Sequence, residues 1–270
     1  MPSWLKPNLY EKELKMIKLS VCIEALYNKF PYIERIEKTA AVGVKAFEFW
    51  GWGNKDIDGI KAAKDKFGLT LATFGADAGG PLVDPSNRGK IADGMKRSVE
   101  VAHKLDCKSL IVTTGNEIPD VRRGAQHQSI VDGLKIAAKI MEDEGIILCL
   151  EPLNILVNHK GYYLATSAEG FEIIDEVGSP NVKLLYDIYH QQITEGNLID
   201  TITANIDKIG HFHLADVPGR HEPGTGEINY KNVFKSIAET NYQGFFGTEY
   251  WPIGSDDDSL KMLLDMTKDM

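Results

Sequence analysis

Eight short runs rich in apolar, β-branched and aromatic residues return along the chain at nearly even spacing, each followed by a segment of helical period. The runs are KLSVCIEA (18–25), KAFEFWG (45–51), TLATFGAD (70–77), SLIVTTGN (109–116), ILCLEPLN (147–154), VKLLYDIYH (182–190), HFHLAD (211–216) and FFGTEYW (245–251). Helices are expected over 31–42, 56–66, 88–105, 127–144, 166–177, 196–207, 230–240 and 256–268. There apolar residues recur three and four apart, as Ile33, Ile36 and Ala40 do in the first. Glycine, or a turn containing it, stands ahead of several runs (Gly43, Gly68, Gly145, Gly178, Gly210, Gly244), where it can end a helix at positive φ.

Strand and helix alternating eight times without a break in composition mean one α/β domain on a parallel sheet. An open doubly wound sheet competes, but it more often carries a glycine-rich turn after its first strand, and this first strand runs into EALYN. The 270 residues match one barrel of typically ~250 residues. The expectation is a single (β/α)8 TIM barrel over residues 17–270. Ahead of it, residues 1–16 read as an N-terminal arm with the pattern of neither a signal nor a transit peptide.

Composition narrows the partners. A net charge of −9, from 30 basic and 39 acidic residues, with no basic run interleaved with aromatics, argues against a nucleic-acid partner held through phosphates. Cys22, Cys107 and Cys149 are far apart and form no metal-binding spacing, so they read as reduced core residues of a cytoplasmic protein. No stretch approaches the roughly 18 apolar residues of a membrane span.

The chemistry collects where the strands end. Glu48 lies in the second run, Glu151 in the fifth, Asp187 and His190 in the sixth, His213 in the seventh and Glu249 in the eighth. A lone carboxylate at a strand end is more often a helix cap or a loop ion pair. In a closed barrel, however, these ends converge on one pocket, where unpaired carboxylates repel one another. A bound divalent cation makes such a cluster tolerable. Three carboxylates with one imidazole form a mostly hard donor set that suits Mn²⁺, Mg²⁺ or Co²⁺. His211 and His213, two apart, face one side of a strand, and the glycine- and proline-rich loop after them carries Arg220, His221 and Glu222.

The motifs LEPLN, YDIYH, HFHLAD and GTEYWP, in that order, resemble the xylose isomerase-like sugar isomerases and epimerases. Within that group, ADVPGRHEPGTGEINY together with YDIYHQQITEGNL is most similar to hydroxypyruvate isomerase and its relatives acting on oxo-tetronates. The resemblance spans about residues 17–252. It implies that Glu151, Asp187, His213 and Glu249 ligate the metal, and that Glu151 and Glu249 also exchange protons with substrate carbon. It further implies that His190 contacts a substrate oxygen, that Arg220 holds the substrate's far end, and that the protein forms a dimer or tetramer. The substrate is then a small hydroxy-oxo acid, or a free ketose if the chain is instead a ketose 3-epimerase.

Two departures bear on that choice. His213 stands where hydroxypyruvate isomerases commonly carry glutamine, and HxH is the epimerase pattern. Conversely, Val157 stands where the epimerases carry a glutamate that holds substrate hydroxyls. The longer match, over 216–230, favours the acid isomerases. An apurinic-site nuclease would need further histidines and a basic surface, and a barrel that only binds would not need both glutamates. Glu48 is expected to meet a substrate hydroxyl or hold a loop, and Trp50 and Trp52 to wall the pocket or simply pack. His211 is expected to make a structural hydrogen bond. His103 and His127 fall on helical surfaces, His159 lies on the loop after the fifth strand within reach of substrate, and His221, beside Arg220, either assists with an anionic substrate or is solvated. Asp256–Asp258 suit the N-terminus of the last helix.

Overall fold

Strand β1 (Lys18–Cys22) pairs with β8 (Phe245–Thr248), Leu19 beside Phe246 and Val21 beside Thr248, and this pairing closes the sheet on itself. Between them run β2 (Ala46–Phe49), β3 (Thr70–Gly75), β4 (Ser109–Val112), β5 (Ile147–Leu150), β6 (Val182–Asp187) and β7 (Ile209–Leu214), every neighbour parallel. The computed structural model describes residues 17–268, and the expected N-terminal arm lies outside the described residues. The closed eight-stranded parallel barrel is the architecture the sequence implied.

The outer layer is α1 (Tyr32–Ala41), α2 (Ile57–Phe67), α3 (Arg88–Lys104), α4 (Arg123–Glu144), α5 (Ser167–Val177), α6 (Ile188–Thr194), α7 (Leu198–Ala204), α8 (Tyr230–Ala238) and α9 (Asp256–Thr267). Gly145 and Gly178 end α4 and α5 in the left-handed region, at φ 63° and 70°, where a side chain would be strained. Gly210 has another purpose. It lies inside β7, and a Cβ there would stand 2.7 Å from Cys149 Sγ. Helix α9 starts as expected, with Ser255 capping Asp258 N and three aspartates in the first turn. No helix among the described residues is long and apolar enough to cross a membrane.

The sixth unit departs from the expected bounds. The strand stops at Asp187, and Ile188, Tyr189 and His190 open α6 instead of continuing it. The cause is local: Asp187 Oδ1 accepts a hydrogen bond from His190 N at 3.1 Å, an N-cap. The helix expected over 196–207 is the shorter α7, followed by a 3-10 turn at Ile206–Lys208.

Packing separates two interiors. Between sheet and helices, Phe212 of β7 stacks on Phe246 of β8, with centroids 5.0 Å apart, and Phe246 meets Phe234 of α8 edge-on. The neighbours of Phe212 in β7, His211 and His213, point the opposite way, toward Glu48 of β2. Both histidines and Glu48 are buried. The bore of the barrel is thus charged while its outer face is apolar.

Candidate active site

Four groups from four neighbouring strands meet at the end of that bore. Glu151 follows β5, Asp187 closes β6, His213 belongs to β7 and Glu249 follows β8. One ligand-type atom of each lies within 4.8 Å of all the others, and all four residues are buried. His213 Nδ1 stands 3.4 Å from Glu151 Oε1 and 3.3 Å from Glu249 Oε2, yet makes no hydrogen bond to either. Three carboxylates and an imidazole nitrogen that converge without bonding one another can hold a hard divalent cation, whose oxygen and nitrogen ligands sit at about 2.0–2.6 Å.

Charge balance points the same way. Burial works to protonate Glu249, but Arg220 and His213 outweigh it and hold the carboxyl well below the usual range. Asp187 is the less compensated partner. Burial dominates over Arg220 and His213 there, and its pKa is raised. Burial disfavours a charged His213, yet Glu249 and Glu48 lift its pKa well above the ordinary value. With Glu48 counted, four carboxylates are buried in and at the end of the bore, and one guanidinium reaches two of them, Glu249 and Asp187.

That guanidinium is Arg220, which pairs with Glu249 and lies 3.6 Å from Asp187 Oδ2. The rings of Tyr189 and Trp251 flank it at 5.2 and 5.3 Å. Its backbone is set by a tightly bonded loop. Asp216 Oδ1 accepts from Val217 N and Ile228 N, and Oδ2 accepts from Gly224 N. Arg220 itself sits at φ 59°, a conformation that costs a non-glycine residue about 1–2 kcal/mol and that the loop enforces. The next strand's loop is clamped to it. Trp251 N donates to Arg220 O, Ile253 N donates to Glu222 Oε2, and His221 Nδ1 lies 2.7 Å from Trp251 O.

His190 presents an unused donor beside the cluster. Its Nδ1 accepts from Asn154 N at 3.2 Å, and a backbone N–H can only donate, so the imidazole proton resides on Nε2. That Nε2 is buried, lies 3.4 Å from Asp187 Oδ2 and has no hydrogen-bond partner. Burial, reinforced by Arg220, pushes the His190 pKa down to about 3, so the ring is neutral. Trp50, 46% exposed, donates through Nε1 to Glu249 Oε1 at 2.8 Å.

The remaining expected residues take other places. Glu48 is 2% exposed, with His211 Nε2 at 3.0 Å from one oxygen and His213 Nε2 at 2.9 Å from the other. Burial opposes its charge, but the two histidines outweigh burial and hold its pKa at about 2. His211 makes the structural contact expected of it. Trp52 points away, donating to Ser98 Oγ on α3. His103 and His127 pair with Glu144 and Glu176 on the outer helices. The exposed His159 has its ring 5.2 Å from that of His190, and Val157 is exposed. Sequence reasoning assigned no role to Asn154, which fixes the His190 tautomer, or to Tyr189, which flanks Arg220. Their signal was present in their places inside EPLN and YDIYH.

Residues 36–270 match the family described as xylose isomerase-like TIM barrel. The chain is 34% identical over 244 residues to hydroxypyruvate isomerase of Escherichia coli (strain K12), covering 88% of this chain and 94% of that one. It is 30% identical over 244 residues to 2-oxo-tetronate isomerase of Cupriavidus necator, with coverage of 88% and 94%. Among solved structures, one titled AP endonuclease, family 2, from Brucella melitensis superposes with a TM-score of 0.88 at 28% identity, covering 93% of this chain and 99% of that one.

Proposed function

Because the chain belongs to the xylose isomerase-like TIM-barrel family, alongside the hydroxypyruvate and 2-oxo-tetronate isomerases, and is an isomerase, we propose that it interconverts the hydroxy-ketone and hydroxy-aldehyde forms of a small hydroxy-oxo acid. Hydroxypyruvate, giving tartronate semialdehyde, and 2-oxo-tetronate are the substrate types. The observation that carries this reading is the convergence of Glu151, Asp187, His213 and Glu249 beside the Arg220 guanidinium. These four residues would hold one Mn²⁺, Mg²⁺ or Co²⁺ ion. When bound, the ion supplies Lewis acidity, taking up the negative charge that grows on substrate oxygen as the carbon loses its proton.

The chain's own residues do the rest. Glu151 and Glu249 approach the cluster from strands three apart, so substrate lies between two carboxylates. One removes the proton from the hydroxyl-bearing carbon, and the same proton or one from solvent is returned to the former carbonyl carbon. The hydroxyl proton moves to the former carbonyl oxygen, so the atoms balance without any external reactant. His190, neutral with its proton on Nε2, donates to a substrate oxygen. Arg220 grips the substrate carboxylate through two parallel hydrogen bonds, a fit that a neutral ketose lacks. Trp50 and Trp251 stand at the mouth and restrict water.

The ketose 3-epimerase reading keeps one specific support, the histidine at 213. Against it, the exposed Val157 supplies no carboxylate for sugar hydroxyls. A nuclease fits less well: among the described residues, His103 and His127 are engaged on outer helices far from a shared cluster. Turnover in D₂O with added Mn²⁺, across hydroxypyruvate, 2-oxo-tetronates and C6 ketoses, tests the proposal. Turnover of an oxo acid with deuterium at the reacting carbons is expected. Turnover of ketoses alone, with label at C3, overturns it in favour of epimerisation.

A further inference from the structure

We propose that Asp216 is a positioning residue for substrate recognition: its carboxylate ties the loop after β7 into the conformation that presents the Arg220 guanidinium to the site. This rests on the reading of Arg220 as the grip for a substrate carboxylate. Asp216 stands just past β7 and is fully buried, yet it takes no part in the four-residue cluster. Arg220, on the same loop, pairs with Glu249 and approaches Asp187 instead.

A buried carboxylate is costly unless it is paired or hydrogen-bonded, and here backbone N–H groups take it up. Oδ1 accepts from Val217 N at 2.9 Å and from Ile228 N at 3.0 Å, and Oδ2 accepts from Gly224 N at 2.8 Å. These donors lie at the start, on the far side and at the end of one loop, so a single side chain closes it. The main chain of Asp216 closes it again from within. Its N–H donates to His221 O at 2.7 Å, and its carbonyl accepts from Arg220 N at 3.1 Å.

Arg220 is therefore bracketed by Asp216, and that bracket keeps it at φ 59°, where a non-glycine residue is disfavoured. Relaxing this backbone would turn the Cα–Cβ bond and carry the guanidinium off the carboxylates. Gly226 serves the same arrangement, because a Cβ there would overlap Val217 O and stand 2.6 Å from Asp216 Oδ1. With both oxygens occupied by the loop, Asp216 reaches the substrate only through Arg220.

The test asks whether Asp216 acts through Arg220. Asp216→Asn replaces one acceptor oxygen by an amide NH₂ that faces the loop's own N–H donors. KM and kcat for hydroxypyruvate are measured with added Mn²⁺ in the wild type, Asp216→Asn, Arg220→Ala and the double variant, with circular dichroism confirming the fold. Asp216→Asn is expected to raise KM about tenfold, the worth of a weakened charged hydrogen bond, with kcat changed far less. In the Arg220→Ala background the same substitution should leave KM nearly unchanged, because residues acting through one another do not add. Equal rises in both backgrounds reveal a general loosening of the fold and overturn the proposal, as does wild-type KM in Asp216→Asn. If Asp216→Asn does not fold, Gly226→Ala presses on the same carboxylate and carries the same expectations.

A second measurement needs no substrate. Arg220 Nε is buried and finds no hydrogen-bond partner among the described residues, so its N–H signal should stand apart from those of exposed arginines. In ¹⁵N spectra of the Mg²⁺-treated protein that signal is assigned by its loss in Arg220→Lys. It should join the exposed arginines in Asp216→Asn, and an unmoved signal overturns the proposal. Wild-type protein that turns over no oxo acid refutes the substrate reading alone, and the arginine spectrum then decides the role of Asp216.

Discussion

Arg220 lies on the carboxylates that the proposed mechanism needs, bonded to Glu249 and 3.6 Å from Asp187. Its guanidinium is therefore part of the site's charge balance as well as the proposed grip for an anionic substrate. Arg220→Ala should raise KM for carboxylate substrates by about tenfold to a hundredfold, the worth of a charged hydrogen bond. Neutral ketoses should change far less, and steady-state kinetics on both classes checks this. Glu151→Gln and Glu249→Gln should each lower kcat by about 10²–10⁴-fold with an unchanged circular dichroism spectrum; full activity in either removes that residue from proton transfer. At this scale the sequence was most legible where chemistry left few alternatives. Acids at or just past the ends of β5, β6 and β8 of a closed barrel all open on the same pocket, so Glu151, Asp187 and Glu249 were identifiable as a set. Glu48 was not, because alternation along a strand tells which face a side chain takes and not how deep in the bore it lies.

Among the elements, β6 and α6 show where periodicity fails. VKLLYDIYH is apolar enough for one long strand, and a buried first helical turn has the same look. The capping bond from His190 N to Asp187 decides the boundary, and it also places Tyr189 and His190 on a helix beside the site. The alternation in HFH was readable because a strand has only two faces, one for Phe234 and Phe246 and one for Glu48. β8 offers a test of how tightly the bore is packed. Gly247→Ala sets a methyl group against Glu48 and should cost about 1–3 kcal/mol of stability. Urea unfolding with an unchanged slope would measure it, and a wild-type midpoint would mean that Glu48 has space to retreat.

In the molecule as a whole, barrel closure leaves no thiol at the surface. Cys22, Cys107 and Cys149 are buried and free. Burial pushes Cys107 up to about 12 and Cys149 up to about 11, and raises Cys22 well above its ordinary value. The folded pKa values lie above those of the unfolded chain, so the stability they contribute is complete below about pH 9 and falls as pH rises toward 11–12. At pH 10 the loss should be on the order of 1 kcal/mol per thiol. Denaturation midpoints at pH 8 and pH 10, read beside thiolate absorbance, check it; thiolate signal from folded protein at pH 10 would contradict the burial argument. The closed eightfold pattern was legible because every repeat carried its own strand and helix signals. The clamp between the loops after β7 and β8 was not, since its bonds run through backbone groups of Arg220 and Trp251 and through Glu222. That clamp has a consequence for recombination. A loop transplanted from a relative in place of residues 216–230 would arrive without its counterpart at 250–254, so the two loops form one heritable cassette and are expected to be exchanged, and to diverge, together.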